Sequence, residues 1–269
     1  MRHEWTDNDR VTIAVDAAGI AQVRMVRTDK LNALDEAMIA SLLAAGQALH
    51  DWPGLRAVVL AGEGRGFCAG IDLEALTGGM LEGLQLTERT HGNANRFQQL
   101  SIQWRKLPCP VIAALHGVCF GAGLQVAAGA DIRVAAPDAR FAVMESKWGL
   151  VPDMGHFALW RGLVRDDLLR ELTYTHREFS GEQAVTLGFA THEDADPVAR
   201  ATAIAAEIAG CSPSATRAAK SLANRSHDLE TDAILAAESV EARRLIGSRN
   251  QLEAVASQQQ KRAAQFIDP

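Results

Sequence analysis

Two acids stand eight positions apart in the stretch Glu145-Ser-Lys-Trp-Gly-Leu-Val-Pro-Asp153-Met-Gly155. Gly149 and Pro152 break any helix between them. A segment interrupted in this way can fold back and aim both carboxylates into one cavity, where such groups move protons beside a carbonyl. Two glycine-bearing turns supply a matching electrophilic site. They are Gly66-Phe-Cys-Ala-Gly-Ile-Asp72 and His116-Gly-Val-Cys-Phe-Gly-Ala-Gly123. Each follows an apolar run that reads as a strand, and each precedes a segment able to start a helix. Backbone N–H groups at such turns point outward without partners, so two of them can hold one developing oxyanion. Acids beside an amide pair suit chemistry on a thioester.

Elements must hold these groups in place, and the chain is long enough to supply them. Its 269 residues allow one large domain, or a core with a small appendage. The composition, 48% apolar and 22% charged, is that of a soluble globular protein. A net charge of -6 gives no nucleic-acid footprint, and 5% aromatic residues give no stacking platform. The polar, acidic start lacks the apolar region of a secretion signal, and no apolar run is long enough to span a bilayer. A cytoplasmic protein with no membrane insertion is expected. Cys68, Cys109, Cys119 and Cys211 form no CxxC pair, and the eight histidines are scattered, so no metal site is expected.

Val11–Asp16 and Ile20–Val26 flank an Ala-Ala-Gly turn and read as a hairpin. Ile39, Leu42, Leu43 and Leu49 give residues 35–51 a helical face, with Asp35 as N-cap. Arg56–Ala61 reads as a short apolar strand and Val111–Leu115 as a buried one. Residues 76–93 have weak periodicity and are expected to be irregular, with a helix following over Ala94–Lys106. A further helix is expected from about Gly121 to Ala128, then short strands at Asp131–Ala135 and Arg140–Val143. This alternation argues for an α/β core with crossover connections. Residues 156–175 have helical spacing, Gly181–Leu187 reads as a short helix, and the chain is almost wholly helical from Pro197. The sequence therefore divides into a core over residues 1–195 and a helical region over 196–269.

These motifs, in this order and at these separations, resemble the crotonase superfamily of enoyl-CoA hydratases and isomerases. Arg27-Thr-Asp-Lys-Leu-Asn-Ala-Leu34 resembles its early CoA-contacting stretch, the two glycine turns its oxyanion turns, and Gln260-Lys-Arg-Ala-Ala-Gln-Phe266 its closing segment. The match runs from about Val11 to Phe266. The resemblance implies a spiral of ββα turns, a C-terminal helical trimerisation region, and a homotrimer or dimer of trimers. It also implies an acyl-CoA thioester substrate and no cofactor, since coenzyme A is part of that substrate.

Carried over residue by residue, the resemblance puts the oxyanion donors on the N–H groups of Ile71 and Ala122. Ala122 replaces the usual glycine, which a negative φ at a helix start allows. The plainer reading of the glycines is close packing of strand on helix. Glu145 falls on the family's catalytic glutamate, and the apolar residues around it would raise its pKa. Asp153 lies at the spacing that resembles dienoyl-CoA isomerases; its plainer role is a helix N-cap. Gln125 stands where hydratases carry a second glutamate. It can bond to water but cannot take a proton. The resemblance further places substrate contacts on Arg27, Lys30, Ala69, Gly70, Asp72, Leu73, Gly121, Gly123, Trp148, Lys261 and Phe266. His156 is a further candidate for the acyl pocket, and Cys68 is read as structural.

Several chemistries fit these residues. In an isomerase, Asp153 and Glu145 work at opposite ends of a conjugated acyl chain. In a hydratase, Glu145 alone delivers water, with Gln125 orienting it. The acids favour isomerisation. A catalytically silent acyl-CoA-binding protein, and a hydrolase or dehalogenase with Asp153 as nucleophile, are further alternatives.

Overall fold

Burial alternates along Val11–Val15 and Ile20–Met25 and is continuous along Ala57–Gly62 and Val111–Leu115. In the computed structural model, which describes residues 3–7, 9–80 and 82–269, the chain opens with His3–Asp7 (β1), Val11–Val15 (β2) and Ile20–Met25 (β3) as an antiparallel meander. Met1, Arg2 and Asn8 of the polar start, and Leu81 of the irregular segment, lie outside the described residues. β1 is an addition to the expected hairpin. Its polar composition carries no strand signal, and its pairing with β2 makes it a strand.

The chain continues through Glu36–His50 (α1), Ala57–Gly62 (β4), Leu73–Thr77 (α2), Arg96–Lys106 (α3), Val111–Leu115 (β5), Val118–Phe120 (β6) and Ala122–Ala128 (α4). Next come Ile132–Ala135 (β7), Arg140–Ala142 (β8), His156–Trp160 (α5), Asp166–Thr175 (α6), Phe179–Ser180 (β9), Gly181–Leu187 (α7) and His192–Glu193 (β10). Four helices close the chain: Pro197–Ala209 (α8), Pro213–Ser226 (α9), Thr231–Leu245 (α10) and Arg249–Gln259 (α11). A seven-stranded sheet runs β1-β2-β3-β4-β5-β7-β10, parallel from β3 onward, and a three-stranded sheet runs β6-β8-β9. The mixed α/β architecture is the expected fold class.

Both faces of the parallel strands are covered, which is why β4 and β5 read as unbroken apolar runs. On one face Val58, Leu60, Val111 and Ala113 join Leu42, Leu100 and Trp104 from α1 and α3. On the other, Val59, Ala61, Ile112 and Ala114 meet Ala201, Ile204 and Ala205 of α8. The helices beyond residue 195 therefore begin as the second layer over the sheet. α9 is fastened there as well: the Lys220 ammonium donates to Asp131 at 2.7 Å and to the carbonyls of Trp104 and Cys109. α10 buries none of its residues within the chain.

Helix ends follow local rules. Asp35 accepts from Met38 N–H at 2.7 Å. Asn95 and Gln98 form a capping box at α3, and Ser180 and Gln183 form one at α7. The expected helical stretch 156–175 is two helices, α5 and α6, with a break after Trp160. Among the described residues no helix is long and apolar enough to cross a membrane.

Candidate active site

β4 ends at Gly62 and its loop carries the first glycine turn; β6 leads into the second. The two turns are stitched together backbone to backbone. Phe67 N–H donates to the His116 carbonyl at 2.9 Å, Cys68 N–H to Val118 at 3.0 Å, and Phe120 N–H to Cys68 at 3.0 Å. Gly123 permits this approach, because a Cβ there would lie 2.5 Å from the Cys68 carbonyl oxygen. Gly70 adopts φ +97°, and a Cβ on it would sit 2.9 Å from the Phe120 carbonyl oxygen and 3.6 Å from the Ala122 nitrogen.

Ile71 bridges Leu34 in parallel register. Leu34 N–H bonds to Gly70 and Asp72 N–H to Leu34, so the N–H of Ile71 points away from this bridge. It has no acceptor among the described residues. Gly121 takes the positive φ of +48° that the turn needs, which leaves Ala122 free to begin α4 with a helical backbone. That is how alanine replaces glycine at this position. As the first residue of α4, Ala122 also has an N–H without an acceptor among the described residues. α4 has only seven residues, so the two N–H groups themselves, rather than a macrodipole, supply most of the positive potential.

Beside this pair lies a cleft of about 520 Å³, bordered by both turns and by the 3₁₀ turn Glu145–Trp148. That turn is held by Ser146, whose hydroxyl donates to the Thr173 carbonyl at 2.8 Å. A Cβ on Gly121 would lie 3.4 Å from Glu145 Oε1, which puts the carboxylate against the second turn. Burial raises the Glu145 pKa, and its own N–H, the Gln125 amide and the Met144 N–H partly offset that rise. Oε1 accepts from Gln125 at 2.5 Å, while Oε2 is buried without a partner. The arrangement is two backbone N–H groups with no acceptor among the described residues, and one carboxylate without an ion-pair partner among them beside the pair.

A family model described as Enoyl-CoA hydratase/isomerase matches residues 16–269. The chain belongs to the enoyl-CoA hydratase/isomerase family. It is 32% identical over 257 residues to the bovine (Bos taurus) "Enoyl-CoA hydratase domain-containing protein 2, mitochondrial", covering 93% of this chain and 84% of that protein. It is 31% identical over 228 residues to the rat (Rattus norvegicus) "Delta(3,5)-Delta(2,4)-dienoyl-CoA isomerase, mitochondrial", covering 81% and 70%. Among solved structures, an enoyl-CoA hydratase from Polaromonas sp. JS666 superposes with a TM-score of 0.85 at 26% identity, covering 96% of this chain and 99% of that one. One from Mycobacterium smegmatis gives 0.83 at 29%, covering 95% and 98%. The chain has the crotonase fold and is an enzyme of this family.

Of the family-like positions, Lys30, Ala69, Gly70, Ile71, Asp72, Leu73, Gly121, Ala122, Glu145 and Trp148 border the cleft. The others sit elsewhere, each for a physical reason. Gly123 lies behind the wall against Cys68. Arg27 is taken up internally: it pairs with Asp72 at 2.6 Å and Asp35 at 3.3 Å and donates to the Ala33 carbonyl. Burial would raise the Asp72 pKa, but Arg27 and the amides of Glu74 and Ala75 bring it below its ordinary value. Lys261 and Phe266 are off the cleft. The tail they belong to folds back along α11, where Asn250 bonds Ile267 in both directions, and Asp268 pairs with Arg56 just before β4.

Asp153 does not share the cleft wall with Glu145. Its carboxylate accepts from Asn95 Nδ2 at 3.0 Å and from Gln98 Nε2 at 2.6 Å, the capping pair of α3. Gln125 is 2% exposed, is not among the residues bordering the cleft, and donates to Glu145 from behind the wall. His156 is buried, with its ring bonded to Thr173 and its pKa lowered to about 4 by burial. Cys68 is structural as read: its thiol donates to the Asn32 carbonyl, and burial pushes its pKa up to about 12. The sequence reading omitted Ala33, Glu74, Phe120, Met144, Lys147, Leu150 and Glu178 from the wall. Two of these carried a signal: Phe120, the bulky residue before Gly121 in the second turn, and Ala33, within the Arg27–Leu34 stretch. Among the described residues no cluster of three or more His, Cys, Asp or Glu is placed to hold a metal ion.

Proposed function

We propose that this enzyme moves a carbon–carbon double bond along an enoyl thioester of coenzyme A, with Glu145 as the single proton carrier. The supporting observation concerns the acids around the cleft. Asp72 is paired with Arg27, Glu74 with Lys30 and Glu178 with Arg140; among the described residues Glu145 has no cationic partner and one oxygen without a hydrogen bond. The thioester oxygen sits between the N–H groups of Ile71 and Ala122. Ionised Glu145 takes a proton from C2 of a 3-enoyl group, and the electron pair moves into the carbonyl to give a dienolate whose oxygen the two amides stabilise. The same carboxyl returns the proton to C4, and the double bond settles between C2 and C3 in conjugation with the thioester. C2 and C4 lie within the swing of one carboxylate. A 3,5-diene would need a proton delivered at C6, and the acid expected there, Asp153, is bound up with Asn95 and Gln98.

Hydration of a 2-enoyl thioester by Glu145 alone is the second reading, favoured by relatives whose names include enoyl-CoA hydratase. Dienoyl isomerisation with Asp153 is favoured by the relative named for that activity. A cytoplasmic homotrimer or dimer of trimers, with coenzyme A arriving only as part of the substrate, belongs to the same proposal. The unburied α10, which exposes Leu235 and Val240, supports the assembly. The test offers 3-enoyl-, 3,5-dienoyl- and 2-enoyl-CoA to the enzyme and to Asp153→Asn while absorbance is followed. Conversion of the 3-enoyl thioester, retained within a few-fold in Asp153→Asn, is the expected result. Turnover confined to the diene and lost in Asp153→Asn would overturn the proposal.

A further inference from the structure

Gln125 is bonded at both ends of its amide. Oε1 accepts from the backbone N–H of Met154 at 2.8 Å. A backbone N–H can only donate, so this end of the amide is the oxygen. The other end is therefore the NH₂ group, and it donates to Glu145 Oε1. Met154 is held in turn by its neighbour: Asp153 is clamped by Asn95 and Gln98 at the start of α3. The orientation of a buried amide on α4 is thus set by a loop fastened to another helix.

We propose that Gln125 is a positioning residue: locked by Met154, it holds one oxygen of Glu145 and leaves the other as the free base. The inference rests on Glu145 as proton carrier, and adds a group that acts through it without touching substrate. A donor on the carboxylate favours the ionised form, which burial disfavours. The charged groups facing the cleft from the surrounding elements are Lys30, Asp72, Glu74, Lys147 and Glu178. None of them is ion-paired with Glu145, so Gln125 is its side-chain partner. A glutamate at position 125 would exchange that donor for a second negative charge, and the two acids would titrate as a coupled pair.

The test compares the full-length wild type with Gln125→Met, which keeps the volume and removes the donor, and with Gln125→Glu. The first readout needs no turnover: carbon-13 NMR titration of labelled glutamate carboxyls, with the Glu145 signal assigned by its loss in Glu145→Gln. The Glu145 midpoint is expected to move to higher pH in Gln125→Met and to split into two coupled steps in Gln125→Glu. The second readout is kinetic. kcat is expected to fall on the order of tenfold to a hundredfold in Gln125→Met, the worth of one hydrogen bond to a charged group. KM should stay within about threefold, because the amides of Ile71 and Ala122 are untouched. The acid limb of kcat/KM should move with the NMR midpoint. A folded Gln125→Met with an unchanged Glu145 midpoint overturns the proposal. If that variant does not fold, a Gln125→Glu protein whose Glu145 titrates as in the wild type overturns it equally. A shifted midpoint in an enzyme that turns over no enoyl thioester would support the positioning role while refuting the reaction, so the two inferences fail separately.

Discussion

Glu145 is ionisable, half-buried and short of partners among the described residues, and each property has a measurable consequence. In the proposed role of base it works only when deprotonated, so activity is expected to be lost as pH falls through its raised pKa. Glu145→Gln should lower kcat by roughly 10²–10⁴-fold, the usual worth of a positioned acid or base. The same substitution should stabilise the fold. The native carboxyl holds its proton to higher pH than the unfolded one, so the native state binds more protons in that window and stability declines as pH rises through it. Above the window, replacing the buried charge removes that deficit, and Glu145→Gln should melt higher than the wild type at neutral pH. A lower melting temperature would mean that the carboxylate is a net stabiliser. The residue types of the site were legible: Glu145 and the two turns could be named from sequence. The fate of Asp153 was not, because its partners Asn95 and Gln98 are more than fifty positions away and their own pattern announces only a helix cap.

Elements position the amides through close contact between the two turns. A methyl group at Gly123 would press on the Cys68 carbonyl and thiol, both of which belong to the first turn. Gly123→Ala should therefore part the turns and spoil the donor pair. The expected cost is about 1–3 kcal/mol in stability from overpacking, with kcat reduced toward the 10²–10³-fold of a lost oxyanion donor. Denaturant unfolding and steady-state kinetics measure both effects. Wild-type kcat in a destabilised Gly123→Ala would separate packing from the site. Local signals forecast these elements well where caps and periodicity agree, as at Asp35 with α1 and Gly121 with α4. They failed at β1, whose strand conformation comes from pairing with β2 rather than from its residues.

At the scale of the whole molecule, a sheet covered on both faces joins the two glycine turns to the C-terminal helices. The Lys220 side chain, 5% exposed, fastens α9 to Asp131 and to carbonyls beside α3 and β5. Lys220→Ala would take the cation from Asp131, which keeps only the Val111 N–H on that oxygen, and a donor from the two carbonyls, with an expected loss of about 3–5 kcal/mol. Helical circular dichroism and tryptophan fluorescence should then melt together at a lower temperature; two separated transitions would show α9 to be independent of the core. The sequence division at residue 195 marked a change in composition, and packing runs across it because α8 supplies the sheet's second layer. The central claim is that the N–H groups of Ile71 and Ala122 polarise a thioester. The most direct measurement is the infrared carbonyl band of a carbon-13-labelled enoyl-CoA bound to Glu145→Gln, in which the complex persists. The account expects a band at lower frequency than in water, moving back toward the solution value when Gly123→Ala is added. A bound thioester with its solution frequency would contradict it.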